Sequence, residues 1–226
     1  MQALDLSRLL SGFLSTISIW AIPVLYAVTL HEVAHGWMAR YFGDRTAELL
    51  GRLSLNPLRH VDPVGTIIIP GVLLALGMPL FGWAKPVPVA TSALRRPRLA
   101  MVMVALAGPA ANLLMALFWC AVLAAVVRIK GDATLNHWLV LMAQAGILAN
   151  VLLAIFNLLP IPPLDGGRVL AGFLPPRLGA RYERLAPVGM LIVVGLSFLG
   201  LFSWLFVPAY RATGQVIQAL MVGPAA

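Results

Sequence analysis

Residues 28–39, VTLHEVAHGWMA, set two histidines and a glutamate inside an otherwise apolar run. His31 and His35 stand four apart, which on a helix is about 40° around the axis and one turn along it. Both imidazoles can therefore reach one metal ion. Glu32, beside the first histidine, is placed to act as general base on a water next to that ion. In a soluble helix the same five residues could form a solvated polar face. At membrane depth, three ionisable groups are costly unless they line a polar cavity, pair or coordinate, so here the pattern points to metal binding.

A catalytic zinc site usually takes three protein ligands and keeps a fourth position open. The carboxylates available for the third are Asp5, Asp44, Glu48, Asp62, Asp132, Asp165 and Glu183. Asp44, Glu48, Asp62 and Glu183 fall in charged loops, where a solvated carboxylate is the normal state. Asp5 and Asp132 fall on the far side of the membrane in the topology given below. Asp165 lies in NLLPIPPLDGGR, where Pro160, Pro162 and Pro163 interrupt helical hydrogen bonding and Gly166 and Gly167 permit a tight backbone path. Irregular backbone at membrane depth survives only where it is protein-buried or lines a cavity. A plain helix cap at Asp165 is the alternative reading.

The elements that must carry these residues are set by composition. Of 226 residues 61% are hydrophobic and 11% charged, with a mean hydropathy of +0.92, which marks an integral membrane protein. Apolar stretches lie at 9–42, 64–80, 99–127, 139–160 and 185–208. All but the second exceed the ~20 residues a helix needs to cross. The first would be about 51 Å long as one helix against a hydrocarbon core near 30 Å, so it projects, tilts or bends, with Pro23 a candidate bend. It is read as a span and not as a cleavable leader, because removing it would remove the HEVAH cluster.

Pro63, Pro70 and Pro79 punctuate 64–80, which is expected to dip into the membrane and return. A re-entrant path puts Arg40, Arg45, Arg52, Arg59, Lys85, Arg95, Arg96, Arg98, Arg168, Arg177, Arg181 and Arg184 on one side, leaving Arg8, Arg128, Lys130 and Arg211 on the other. The first side is then cytoplasmic. It also brings the C-terminal end of the first span and Asp165 to one leaflet. A short, tilted full crossing of 64–80 is the alternative. His35 is seven residues before Phe42, about 10 Å along a helix from the span's cytoplasmic end, within reach of water.

The net charge of +8 reports this topology; without basic residues interleaved with aromatics it gives no nucleic-acid footprint. Cys120 is the single cysteine, so no intrachain disulfide forms. No repeat or soluble appendage is visible, and residues 1–226 are expected to form one membrane domain.

HEVAH, AGPAAN and NLLPIPPLDGG together resemble the intramembrane zinc metalloproteases of the site-2 protease family. The resemblance runs from about residue 20 to 175, and LGRLSLNPLRHVDPVGT and FGWAKPVPV resemble a compact bacterial branch without PDZ or nucleotide-sensing (CBS) domains. It implies a zinc endopeptidase with one Zn2+ per chain, held by His31, His35 and Asp165, with Glu32 as catalytic base. Asn157 would hold the substrate carbonyl or its oxyanion; an inter-helix hydrogen bond is its plainer role. Gly108 and Asn112 match a second family pattern, read here as close helix packing. The implied substrates are transmembrane segments of other proteins, in a bacterial inner membrane and with the site toward the cytoplasm; a homo-oligomer is left open.

A helical substrate must be unwound before hydrolysis, and an exposed strand edge can replace its lost backbone partners. TAELLGRLSL (46–55) and Trp83, Ala84, Lys85, Pro86, Val87, Pro88 and Val89 are the candidates for a small membrane-embedded β-hairpin or sheet, the second restricted to an edge by its prolines. The expected fold is thus all-α and polytopic, with four to five transmembrane helices, a re-entrant segment and that sheet. Competing readings are a divalent-cation transporter, in which Glu32 would serve as a ligand if at all, and a non-catalytic membrane scaffold.

Overall fold

A computed structural model describes residues 6–69, 71, 72, 82, 84–129 and 132–222. Its regular elements are α1 (Leu6–Tyr41), α2 (Thr46–Leu49), a 3-10 turn at Pro57–Arg59, a π-helical turn at Pro63–Ile68, a 3-10 turn at Thr91–Ala93, α3 (Pro97–Val126), α4 (Ala133–Asn157), α5 (Asp165–Phe173), α6 (Pro176–Glu183), α7 (Ala186–Phe198) and α8 (Leu201–Val222). Among the described residues, three helical stretches are long and apolar enough to cross a membrane: Leu14–Tyr41, Pro97–Val126 and Ala133–Asn157. Only 28, 39 and 33% of their most apolar windows are buried within the protein. The remainder, such as Leu114, Leu117 and Phe118 on α3, suits lipid, as expected of an integral membrane protein. α1 runs through Pro23 as one continuous helix.

The fourth expected span, 185–208, is not one helix. It breaks at Gly200, whose φ of +73° is a left-handed conformation that glycine adopts without steric cost. The 13-residue α7 is therefore only about 20 Å long, and α8 follows it with Pro208 inside. Of the expected re-entrant segment, Pro63–Ile68 forms the π-helical turn, capped by Asp62 Oδ1, which accepts from Val64 N–H (3.0 Å) and Gly65 N–H (2.7 Å). Residues 70 and 73–80 lie outside the described residues.

By contact the chain forms two units. One comprises Met1–Ala27, Asn112–Ala154 and Leu196–Ala226. Its core is Trp119, Leu123, Met142, Ala143 and Ile147. Here Asn112 Nδ2 donates to Ala27 O and to Asn150 Oδ1, both at 3.0 Å, while Asn150 Nδ2 donates to Gly146 O at 2.9 Å. Both amides are fully buried. Inter-helix bonds of this kind contribute about 0.6 and at most about 1.7 kcal/mol each in membranes, so they fix register more than they stabilise.

The other unit comprises Val28–Ala111 and Ile155–Gly195 and holds Ala39, Leu94, Ala100 and Val104 at its core. The expected β-sheet is absent among the described residues. Thr46–Leu49 turns as helix α2 instead. Residues 84–90 form no regular element and no ladder, because Pro86 and Pro88 carry no N–H and the donors around them are taken individually. Lys85 N–H goes to His60 O at 2.9 Å, Val87 N–H to Glu32 Oε2 at 2.7 Å and Ala90 N–H to Asp44 Oδ2 at 2.6 Å. Arg52 Nη2 donates to Lys85 O at 2.7 Å. The segment is a strap bound by side chains, not a strand.

Asp44 was expected to be solvated, yet it is 1% exposed. Its Oδ1 accepts from the Thr46 amide at 2.9 Å and hydroxyl at 2.5 Å, its Oδ2 from Ala90. Burial pushes its carboxyl up, but these three donors outweigh burial and hold it below the usual carboxylate range. With the folded pKa depressed, its contribution is present above the unfolded value near 3.9 and is lost as the pH falls through the lower folded one. Asp44→Ala is expected to destabilise the detergent-solubilised protein at pH 7 by about 1–3 kcal/mol. Thermal unfolding across pH 7 to 3 should show the gap between native and variant narrowing on acidification; a gap that is constant with pH contradicts this role.

Candidate metal centre

His31 and His35 lie one turn apart on α1, and their ring planes meet at 89° with centroids 4.6 Å apart. This turns both Nε2 atoms to one point, 3.0 Å from each other. Asp165, the first residue of α5, brings its Oδ2 to 3.2 Å from His31 Nε2 and 3.3 Å from His35 Nε2. All three side chains are buried. Asp165 thus starts the helix itself, one residue after the Leu164 cap, and its buried Oδ2 has no hydrogen-bond partner. Four ligands placed tetrahedrally about zinc at about 2.0–2.1 Å are ~3.3–3.4 Å apart. The three observed separations are close to that edge length, so the donor set fits a zinc ion.

The neighbours of the triad support this. His35 Nδ1 lies 2.7 Å from Val104 O; a carbonyl can only accept, so Nδ1 carries a proton, and in the neutral imidazole Nε2 then presents its lone pair. At Gly108, a Cβ would lie 2.5 Å from His35 Nε2 and 2.6 Å from His31 Cε1. Gly108 therefore packs on the imidazoles, which refines its reading as a helix-packing residue, whereas Asn112 does tie helices together. The turn into Asp165 is equally tight: a Cβ on Gly166 would come 2.1 Å from Leu158 O. Tyr182 OH donates to Pro160 O at 2.5 Å, holding the proline-rich loop from α6.

Glu32 is half-buried and stands apart from the three donors, with Oε2 on the Val87 amide. Asn157 is the last residue of α4 and partly buried. Ala84, Lys85, Pro86, Val87, Pro88 and Val89 form the strap; Trp83 lies outside the described residues. Val87 and Val89 also line an open cleft of about 610 Å³ with Met101, Pro162, Gly167 and Ala171. Sequence reasoning missed Val104 O and the Val87 amide, which have no signal because they are backbone groups. His60, in the turn that ends Pro57–Arg59, is 2% exposed, and its Nε2 lies 2.8 Å from Ser54 O.

Two imidazoles from a helix long and apolar enough to cross a membrane and a buried carboxylate from the short helix α5 form a donor set that could hold a metal ion, with Glu32 engaged by the Val87 amide beside it. The sequence profile of peptidase family M50 matches residues 19–131 and 121–199. YwhC of Bacillus subtilis (strain 168), a candidate zinc metalloprotease, is 37% identical over 95% of this chain and 96% of its own. Rip2 of Mycolicibacterium smegmatis, described in the same terms, is 36% identical over 82% of this chain and 69% of its own. Rip2 of Mycobacterium tuberculosis (strain H37Rv) is 34% identical over 80 and 70%. No solved structure matches the chain. The chain belongs to peptidase family M50, the site-2 protease family of intramembrane zinc metalloproteases. The transporter and scaffold readings fall with that membership.

Removing a ligand or crowding the rings should cost the ion. Purified Asp165→Ala and His35→Ala are expected to contain far less than one zinc per chain by elemental analysis. Gly108→Val, which removes no ligand, should weaken zinc affinity by about 10- to 100-fold, as disturbing the groups around a metal's ligands typically does. Native affinity in Gly108→Val contradicts the assigned contact.

Proposed function

We propose that His31, His35 and Asp165 hold the zinc of this intramembrane endopeptidase, that Glu32 is its base, and that Asn157 donates to the oxyanion. The observation that carries this reading is the convergence of the three donor atoms within 3.0–3.3 Å while Glu32 is held elsewhere. An ion there would supply Lewis acidity, polarising the scissile carbonyl and making a water acidic near neutral pH. Glu32 Oε1 takes the water's proton, since Oε2 is engaged by Val87, and returns it to the leaving amine. The Asn157 side-chain amide, as a hydrogen-bond donor, stabilises the negative charge that develops on the carbonyl oxygen.

The substrates proposed are single transmembrane segments of other membrane proteins, cleaved in a bacterial inner membrane with the site toward the cytoplasm. Trp83 and residues 84–89 would contact the unwound stretch, and of the described ones Val87 and Val89 line the cleft. The mostly apolar walls of that cleft favour aliphatic and aromatic residues beside the scissile bond. The whole chain, 1–226, is taken to act as one protease domain.

Glu32→Gln separates hydrolysis from metal binding. In lipid vesicles holding single-span substrate proteins, it should keep zinc near one per chain and slow cleavage by about 10²- to 10⁴-fold. Cleavage at the native rate, or loss of zinc in this variant, would remove Glu32 from the role of base.

A further inference from the structure

The strap does more than line the cleft. Pro86 and Pro88 have no amide hydrogen, so the Val87 N–H is the single backbone donor between residues 86 and 88, and it donates to Glu32 Oε2 at 2.7 Å. The strap is anchored on both sides of this bond without Glu32. Upstream, Lys85 N–H meets His60 O at 2.9 Å and Arg52 Nη2 meets Lys85 O at 2.7 Å. Downstream, Ala90 N–H meets Asp44 Oδ2 at 2.6 Å. Val87 is itself buried, and its Cγ1 sits against Gly36, where a Cβ would come within 3.0 Å of it.

The direction of dependence follows. A strap fixed at 85, 87 and 90 presents one N–H at one place, and a following proline keeps Val87 extended. Glu32, on a side chain with three rotatable bonds and only half-buried, is the mobile partner. A hydrogen bond to an ionised carboxylate is roughly twice as strong as a neutral one, enough to select one rotamer.

We propose that the Val87 amide is a positioning group for the catalytic base, fixing the Glu32 carboxylate through Oε2 so that Oε1 accepts the water's proton and returns it to the leaving nitrogen. No net proton is gained by the chain. This rests on the assignment of Glu32 as base made above. Because the same residue's side chain lines the cleft, Val87 joins substrate contact and base alignment in one residue.

The test separates amide from side chain. Val87→Pro deletes the hydrogen and keeps an extended backbone, whereas Val87→Ala keeps the hydrogen and trims only the cleft wall. In the full-length, zinc-loaded protein, Val87→Pro is expected to lower kcat by about 10- to 100-fold with zinc content near native, on top of the change in KM that it shares with Val87→Ala through loss of the cleft-wall side chain; Val87→Ala should act chiefly on KM. Equal losses of kcat in the two variants, or a Val87→Pro effect confined to KM, overturn the proposal. Should Val87→Pro fail to bind stoichiometric zinc, amide hydrogen exchange decides. Within 86–88 the exchanging amide is Val87's alone, and Glu32→Ala should speed its exchange at least tenfold over native; unchanged exchange overturns the proposal. A Glu32→Gln protein that cleaves at the native rate would instead remove the base assignment, while the exchange result would still report whether the bond exists.

Discussion

Two imidazole nitrogens and a carboxylate oxygen meet within 3.3 Å of one another in a buried site. In the neutral tautomer that can bind a metal, His35 gives its Nδ1 proton to Val104 O and turns a lone pair toward an anionic oxygen, an arrangement that is repulsive in a medium of low dielectric. A divalent cation reverses the sign, and the surroundings are built to allow it. Gly108 leaves the space the rings fill, and Gly166 lets the chain turn sharply enough to deliver Asp165. A metal held there would also contribute to folding, since the site does not exist in the unfolded chain.

Near this centre the backbone groups of the strap are satisfied one by one instead of by regular pairing. A segment rich in proline cannot join a sheet, so carboxylates, a carbonyl and a guanidinium complete its hydrogen bonds. The same segment then bears on Glu32, which would join its structural role to the proposed catalytic one. In the other unit, Asn112 and Asn150 pair in full burial, where an unpaired amide would be expensive.

How much of this was legible in the sequence depended on where the information lay. His31, Glu32, His35 and Asp165 stood out because ionisable side chains are rare in lipid and their spacing matches a helix, and the helical class followed from hydropathy. The partial alternation of TAELLGRLSL suggested a strand, but the buried Asp44 binds the Thr46 amide and hydroxyl at the start of α2, and a helical turn forms. Asp44 itself read as solvated, because its partner Ala90 is 46 positions away and offers a backbone group that no residue type announces. The apolar run 185–208 read as one span, for hydropathy does not register the left-handed φ of Gly200.

The central claim, that these three side chains share one zinc ion, is tested most directly by locating the metal. Anomalous diffraction at the zinc absorption edge from crystals of the native protein should give one strong peak per chain, about 2.0–2.2 Å from His31 Nε2, His35 Nε2 and an Asp165 carboxylate oxygen. A peak that excludes Asp165 from bonding distance, or zinc bound stoichiometrically at another place in the chain, contradicts it.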